Sequence, residues 1–180
     1  VLMEAALMGA KKIIGSDISE KAVEDTKDNV IWVEKKLLEE PIETTVIESP
    51  AQTLTEQINT PVDLIVAETF LGPPRKGRES IKAIQDVGED LTDLNRDAFT
   101  ELYQLLNKGG KAIIAFPVFL TDDQQIHLPL KSLLEEIGFA IENITPVSAP
   151  NIPTEKTDAG GFLYERKGQL VAREILVLKK

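Results

Sequence analysis

The sequence predicts an α/β fold built on a doubly wound, mostly parallel sheet that closes with an antiparallel hairpin. Three observations predict it. Short apolar and β-branched runs alternate with helical patterns along the chain, as they do in parallel sheets with helices on both faces. The runs at residues 62–68 and 111–116 are almost continuously apolar, which is typical of strands buried on both faces. Two further strand patterns, residues 162–166 and 169–178, flank Lys167-Gly168, which predicts a hairpin turn.

The first third of the chain is predicted to alternate between helix and strand. Ser19 is a suitable N-cap for a long helix, and acidic residues follow it, as the helix dipole favours. Pro41 predicts that this helix ends near Leu38. In order, the predicted elements are an apolar helix (1–10), a strand ending at Asp17, a helix (19–38), a strand (44–49) and a short helix (51–58).

The remaining elements follow from the same patterns. Gly and Pro mark the loops, and Gly138 is predicted to terminate a helix. In order, we expect a strand (62–68), a loop (69–78), helices (80–86 and 90–106), a Gly-Gly turn (108–110), a strand (111–116), a helix from Asp122 or Asp123 to Ile137, a strand (139–144), a long surface loop (146–161) and the hairpin.

Length and composition predict one domain over residues 1–180. The chain has 42% hydrophobic and 28% charged residues, which is ordinary for a water-soluble domain of this size. It contains no cysteine and one histidine, His127, so we expect neither a disulfide nor a Cys- or His-based metal site. No apolar run approaches the roughly 20 residues that span a bilayer, and a cytoplasmic location is expected.

The net charge of −10 disfavours a domain that binds nucleic acid unaided, since such domains normally present a basic face. If the substrate is RNA, phosphate contacts must come from an upstream domain or from a local basic loop. Arg75, Lys76 and Arg78 form the one such loop that the sequence suggests.

Asp17 and the segment after the next strand are candidate nucleoside-binding residues. An acid at this strand end, in a βαβ unit that binds nucleotides, accepts hydrogen bonds from ribose hydroxyls, and Ile18 can pack on a base. Ser49, Pro50 and Ala51 follow the next strand, where they would lie beside an adenine. The alternatives are that Asp17 caps the following helix and that residues 49–51 only form a turn and a helix start.

The segment from Glu68 to Pro74 is the candidate catalytic loop. It follows a buried strand, and strand ends of open α/β sheets form the ligand crevice. Glu68 can accept a hydrogen bond from a substrate amine, and Phe70 can stack on a flat base. Phe70 is equally well explained as an ordinary core or lid aromatic.

These residues resemble class I S-adenosylmethionine (SAM)-dependent methyltransferases, which have a Rossmann-like sheet. More narrowly, the chain is similar to the RNA methylase family that contains the tRNA guanosine-N2 methyltransferases, often fused to an N-terminal RNA-binding THUMP domain. The segment Ile13-Ile-Gly-Ser-Asp-Ile-Ser, the segment Glu68-Thr-Phe-Leu-Gly, the Gly109-Gly110 turn and the C-terminal hairpin carry the resemblance. It spans nearly the whole chain.

The resemblance implies SAM as cofactor and an exocyclic base amine, guanosine N2 of tRNA, as methyl acceptor. The residues it implies for catalysis are Glu68, Thr69, Phe70 and Leu71. Those implied for the cofactor are Asp17, Ile18, Ser49, Pro50, Ala51 and Glu68. Those that we expect to bind the substrate are Gly72, Pro73 and Arg75, and no metal is required.

The chain also departs from the family pattern. Thr69 stands where proline is usual, and Pro50 stands where an Asp that contacts adenine is common, so one cofactor bond is lost. The family's first strand and glycine loop would precede residue 1. We therefore expect an N-terminally incomplete domain, and a homodimer is one way to complete its sheet.

Two alternatives to the RNA methyltransferase remain. One is a degenerate domain that binds a partner without catalysis, which Thr69 and Pro50 favour. The other is a methyltransferase acting on DNA or on a small molecule, which the chemistry of the Glu68 segment does not distinguish from one acting on RNA.

Overall fold

The structure, a computed structural model, describes residues 1–143 and 155–180 and divides into two units, Val1–Asn59 and Thr60–Lys180. Each unit is described by itself below. That residues 1–180 form a single domain stays a prediction. No helix in the described ranges is both long and apolar enough to cross a membrane.

The first unit contains a parallel pair of strands. Its elements are α1 (Leu2–Leu7), β1 (Lys12–Asp17), α2 (Glu20–Leu37), β2 (Glu43–Glu48) and a 3₁₀ helix (Ala51–Glu56). Lys12 pairs with Glu43 and Asp17 pairs with Glu48. Because the strands run in the same direction with no stagger, both end at the same edge of the sheet.

Helix α1 and helix α2 both contact β1. Ala6, Ile13 and Val30 form the buried cluster that joins these three elements. Gly15 faces Leu2, and a Cβ at Gly15 would overlap the Leu2 side chain, so the absence of a side chain lets α1 lie close to the strand. Ser19 caps α2 as predicted: its Oγ accepts a hydrogen bond from the Ala22 N–H at 3.3 Å.

The second unit contains a mixed sheet. Its elements are β3 (Val62–Glu68), α3 (Ile81–Leu105), β4 (Leu106–Leu120), β5 (Gln125–His127), α4 (Leu130–Ile137), β6 (Ala140–Glu142), β7 (Glu155–Lys156), β8 (Phe162–Tyr164) and β9 (Val171–Lys179). Over the described residues the strand order is β3-β4-β9-β8-β7, with β5 paired to β4 and β6 paired to β9. Only β1–β2 and β3–β4 pair in parallel there, so the sheet is mixed and the prediction of a mostly parallel one is not confirmed.

The core of the second unit lies on one face of β4 and β9. Fully buried side chains on β4 alternate with less buried ones, and Leu176 and Leu178 continue the buried face on β9. Phe99 of α3 packs on Phe116 of β4 with ring centroids 5.3 Å apart. Lys180 caps the C-terminus of α3, because its Nζ donates to the carbonyls of Tyr103 and Leu106 at 2.7 and 2.8 Å.

The two helices predicted over residues 80–86 and 90–106 are one continuous helix, α3. Its buried stripe runs through Ile84, Gly88 and Leu91 without interruption. A glycine inside a helix costs only about 1 kcal/mol relative to alanine, so burial of the whole stripe outweighs it.

Strand β4 begins earlier than predicted, at Leu106, and contains the predicted Gly-Gly turn. The turn persists as an irregularity within the strand: Gly109 has φ +80°, and the register with β3 shifts between Val62 and Leu64. Pro117 lies past the last β3 pair, at Ala115, and before the first β5 pair, at Val118. That gap accommodates a residue with no N–H to donate.

The helix predicted from Asp122 or Asp123 begins later, at Leu130, and is preceded by β5. The cause is a tight turn after β4, in which Thr121 and Gln124 bond reciprocally: each backbone N–H is 3.0 Å from its acceptor on the other residue. Gly138 ends α4 with φ +114°, which confirms its predicted role.

The C-terminal hairpin is confirmed, since β8 pairs antiparallel with β9 and Gly168 lies in the turn with φ +84°. The strand predicted over residues 139–144 is β6, Ala140–Glu142. Most of the loop predicted over residues 146–161 lies outside the described residues.

Candidate active site

Asp17 lies at the end of β1 with part of its carboxylate accessible. Its Oδ1 accepts a hydrogen bond from the Ser19 N–H at 2.9 Å, so the carboxylate does cap the start of α2. Its Oδ2 has no hydrogen-bond partner among the residues described. Ile18 beside it has 74% of its surface exposed. The helix-capping role and an open acceptor oxygen therefore coexist in one side chain.

The end of β2 lies directly beside Asp17. The Ser49 N–H donates to the Asp17 carbonyl at 3.0 Å, which continues the parallel ladder past the strands. Ser49 is 5% exposed, and its hydroxyl donates to the Pro50 carbonyl at 3.2 Å. Pro50 is exposed and Ala51 begins the 3₁₀ helix. Consequently Ile18 and Pro50 are the accessible surfaces at this edge, and the Ser49 hydroxyl is already engaged.

Glu68 ends β3 and forms an ion pair with Arg173 of β9. Arg173 Nε donates to Glu68 Oε1 at 2.8 Å, and Arg173 Nη1 donates to the Val171 carbonyl at 3.0 Å. The side chain of Glu68 is 52% exposed and that of Arg173 is 23% exposed. Oε2 of Glu68 has no partner among the described residues, so a fixed carboxylate presents one free acceptor.

Arg173 was not predicted from the sequence. It pairs with Pro117 of β4 and Tyr164 of β8, and this register brings it beside Glu68. The available signal is its place in β9: Arg173 and Glu174 interrupt an otherwise apolar strand pattern, Leu170 to Leu178. A charged residue in a central strand needs a partner, but the sequence does not identify which acid supplies it.

Thr69 extends the β3–β4 ladder by one residue. Its N–H donates to the Ala115 carbonyl at 3.0 Å. A proline at this position has no N–H and makes no such bond, so Thr69 ties the start of the loop to β4. Phe70 follows with 61% of its surface exposed, while Leu71 is half-buried. Glu68 and Phe70 are thus both accessible at the end of one strand.

Arg75 is directed into the protein. Its side chain is 8% exposed, and its Nη1 donates to the carbonyls of Leu120 and Leu170 at 2.8 and 2.6 Å. The guanidinium also lies 5.8 Å from the centroid of the Phe119 ring. Arg75 therefore anchors the loop to the ends of β4 and the C-terminal hairpin, and its role in substrate binding stays a prediction.

Other residues of the loop after Glu68 fix the shape of that loop. Gly72 has φ +85° and lies against Val87, whose Cγ1 would be 3.3 Å from a Cβ at that position. The carboxylate of Glu79 accepts N–H bonds from Lys76 and Gly77, and the first of these lowers the pKa of Glu79. Pro73, Lys76 and Arg78 are exposed.

The predicted site residues fall into two groups, one in each unit. The structure brings Asp17, Ile18 and residues 49–51 together in the first unit. It brings Glu68 to Gly72 together with Arg173 in the second. That both groups belong to a single site stays a prediction.

No family model matches the sequence, and no curated protein does either. Solved structures do match. TrmN from Thermus thermophilus has 18% identity and a TM-score of 0.59, over 99% of this chain and 40% of that one. NSun6 from Pyrococcus horikoshii, determined with SFG, has 15% identity and a TM-score of 0.62, over 94% of this chain and 41% of that one. A SAM-dependent methyltransferase from Methanosarcina mazei has 13% identity and a TM-score of 0.58, over 100% of this chain and 86% of that one.

At these identities the comparison shows the fold. The chain shares an α/β fold with these solved structures, and the sheet of its second unit is mixed. It spans 40% and 41% of the lengths of TrmN and NSun6.

Substitution of Arg75 tests whether it is a structural anchor. Arg75→Met removes the side-chain donor to the Leu120 carbonyl and one of the two donors to the Leu170 carbonyl, and we expect the free energy of unfolding to fall by about 2 kcal/mol. Lys76→Met, at the exposed neighbouring position, should change it by less than about 0.5 kcal/mol. Urea unfolding followed by circular dichroism measures both. Equal midpoints for the wild type and Arg75→Met would contradict the anchoring role.

Proposed function

We propose that this chain is a SAM-dependent methyltransferase that acts on an exocyclic amine of an RNA base, with guanosine N2 of tRNA as the expected acceptor. The observation that carries the proposal is the accessible Asp17 carboxylate at the end of a parallel strand, in a fold shared with methyltransferases. Ligands of open α/β sheets bind at the carboxyl ends of the strands, which is where Asp17, Ser49 and Glu68 lie in their strands.

The residues of the first unit fit the adenosyl part of SAM. The free Oδ2 of Asp17 can accept a hydrogen bond from a ribose hydroxyl while Oδ1 keeps its bond to Ser19. The exposed Ile18 offers an apolar surface for adenine, flanked by Pro50 and Ala51. The buried Ser49 contributes through its backbone N–H, which donates to the Asp17 carbonyl and holds the ends of β1 and β2 together. When bound, SAM supplies an electrophilic methyl group for direct displacement.

Glu68 and Phe70 fit an amine on a flat base. Such an amine is a poor nucleophile because its lone pair is delocalised into the ring. On this proposal, Glu68 Oε2 and a loop carbonyl accept its N–H bonds and orient the lone pair, and Phe70 stacks on the base. Arg173 keeps the carboxylate in place through Oε1. The contribution of these groups is orientation and electrostatics.

The RNA partner is supported by the resemblance of the Glu68–Gly72 segment and by two exposed cations in the loop, Lys76 and Arg78. Pro73 and Gly72 shape that loop beside Phe70. Two cations neutralise few phosphates, so the proposal includes an upstream RNA-binding domain that supplies most of the affinity. A cytoplasmic location belongs to the same proposal.

Binding of S-adenosylhomocysteine tests the cofactor assignment. Asp17→Ala removes the ribose acceptor and should weaken binding at least about tenfold, the loss expected for one charge-assisted hydrogen bond. Asp28→Ala, an exposed acid of α2, is the matched control and should leave the affinity unchanged. Isothermal titration calorimetry measures both. The assignment would be contradicted if the wild-type protein bound no S-adenosylhomocysteine, or if Asp17→Ala bound it with the wild-type affinity.

Methyl transfer tests the role of Glu68. With radiolabelled SAM and unmodified tRNA, Glu68→Gln should lower kcat by about tenfold to a hundredfold while S-adenosylhomocysteine still binds. Glu165→Gln in the exposed hairpin turn serves as control. Cofactor binding without transfer to any acceptor would favour the non-catalytic domain. Transfer to DNA adenine or a small molecule in place of tRNA would refute the RNA assignment and keep the methyltransferase.

We also propose that the partner at the free edge of β3 is a second copy of this chain. Strand β3 pairs only with β4 among the residues described, and Leu64 and Val66 on it are 55% and 45% exposed. An exposed apolar edge strand is a template for pairing with another chain. Light scattering after size exclusion should therefore give a dimer, and Val66→Lys should shift it to monomer. A wild-type monomer at micromolar concentration would contradict the homodimer.

A further inference from the structure

A cavity in the second unit lies on the face of β9 opposite Arg173. It has a volume of about 550 Å³ and is lined by β5, the start of α4, the β7 segment and Glu174. Successive residues of a strand point to opposite faces, so Glu174 and Arg173 serve different surroundings. The volume lies within the range of about 300–1,000 Å³ that is usual for small-molecule sites.

Glu174 is the unusual residue of this cavity. Ala172, Leu176 and Leu178 share its face of β9 and are all 0% exposed, and Glu174 itself is 2% exposed. Its Oε2 lies 3.3 Å from His127 Nδ1. Its Oε1 is buried and has no hydrogen-bond partner within the described part of the chain. Burying a carboxylate oxygen without a hydrogen-bond donor costs free energy. A donor to Glu174 Oε1 would remove that cost.

His127 does not supply that donor. The hydrogen bond to Glu174 raises the pKa of His127, as do the nearby carboxylates of Asp158 and Glu155. The imidazole therefore satisfies Oε2, while its other nitrogen lies 3.4 Å from Gln125 Oε1. Because Glu174 is one of the residues that line the cavity, a ligand bound there is the candidate donor for Oε1.

The wall of the cavity selects for a positive, partly apolar ligand. Besides Glu174 it carries three carboxylates, from Glu135, Glu155 and Asp158, and three basic groups, from Lys131, Lys156 and His127. Leu128, Pro129 and Leu130 provide an apolar surface. In the described residues no three His, Asp or Glu side chains are grouped as metal ligands, which favours an organic cation over a metal ion.

We propose that this cavity binds a small organic cation, a primary ammonium on an apolar body, with an N–H donating to Glu174 Oε1. The apolar body lies against Leu128 and Leu130, and the acids of the wall neutralise the charge. The site uses no residue of the methyl-transfer proposal, so it stands or falls independently of it.

Benzylamine and benzyl alcohol are matched probes, since they share size and shape and differ in charge. Titration calorimetry on the wild-type chain should show saturable benzylamine binding at least about tenfold tighter than benzyl alcohol binding. Glu174→Gln keeps the shape of the side chain and removes its charge, and should weaken benzylamine binding at least about tenfold. Glu165→Gln, outside the cavity, should leave it unchanged.

A measurement on the wild type locates the site even if Glu174→Gln does not fold. Benzylamine should shift the backbone amide NMR signals of β5, the start of α4 and Glu174, and leave those of Asp17 and Glu68 unmoved. The proposal is overturned by no benzylamine binding, by equal binding of the two probes, by shifts confined to other surfaces, or by a folded Glu174→Gln variant that binds as the wild type does.

Discussion

The pairing of β4 with β9 is the interaction on which the second unit depends. Nine consecutive pairs join them, from Lys111 with Lys179 to Phe119 with Val171. Every other strand of that sheet is attached to one of these two, except β7, which pairs with β8. The ladder also fixes the direction of each side chain on β9, because alternation in a strand is strict.

Two consecutive residues of β9 acquire different roles through that alternation. Arg173 points to one face and holds Glu68 at the end of β3. Glu174 points to the other face, among fully buried aliphatic side chains, and meets His127. A shift of the register by one residue would exchange the two faces, burying the arginine in the apolar core and separating it from Glu68. The ladder therefore positions the candidate catalytic acid and the buried carboxylate at the same time.

The sequence predicted those elements whose signals are local. Ser19 and Gly138 were identified as helix ends because capping depends on a residue and its near neighbours, and the Lys167-Gly168 turn follows the same logic. The continuity of α3 through Gly88 was missed because it depends on burial of a stripe against other elements, which overrides local propensity. Strand β5 was missed for a similar reason: three residues form a strand only because the Thr121 turn returns them to β4.

The candidate site also combines features with local sequence signals and features that depend on distant contacts. Glu68 and Asp17 could be predicted, because an acid at a strand end is visible in the sequence. The pairing of Glu68 with Arg173, 105 residues away, and the burial of Arg75 could not, because both depend on which distant strands meet. The sequence placed Arg75 in a basic loop with Lys76 and Arg78, and it did not show that the Arg75 guanidinium donates to the carbonyls of Leu120 and Leu170.

The use of cations inside the protein bears on how an acidic chain could act on RNA. Arg75, Arg173 and Lys180 are each committed to internal acceptors, so they contribute little to phosphate binding. In the function proposed above, this chain of net charge −10 would recognise the base through stacking on Phe70 and through hydrogen bonds at Glu68. The same proposal assigns phosphate affinity, which falls steeply with salt, to an upstream RNA-binding domain. Base recognition and phosphate binding are therefore separate functions in the proposed enzyme, and the three internal cations serve neither of them.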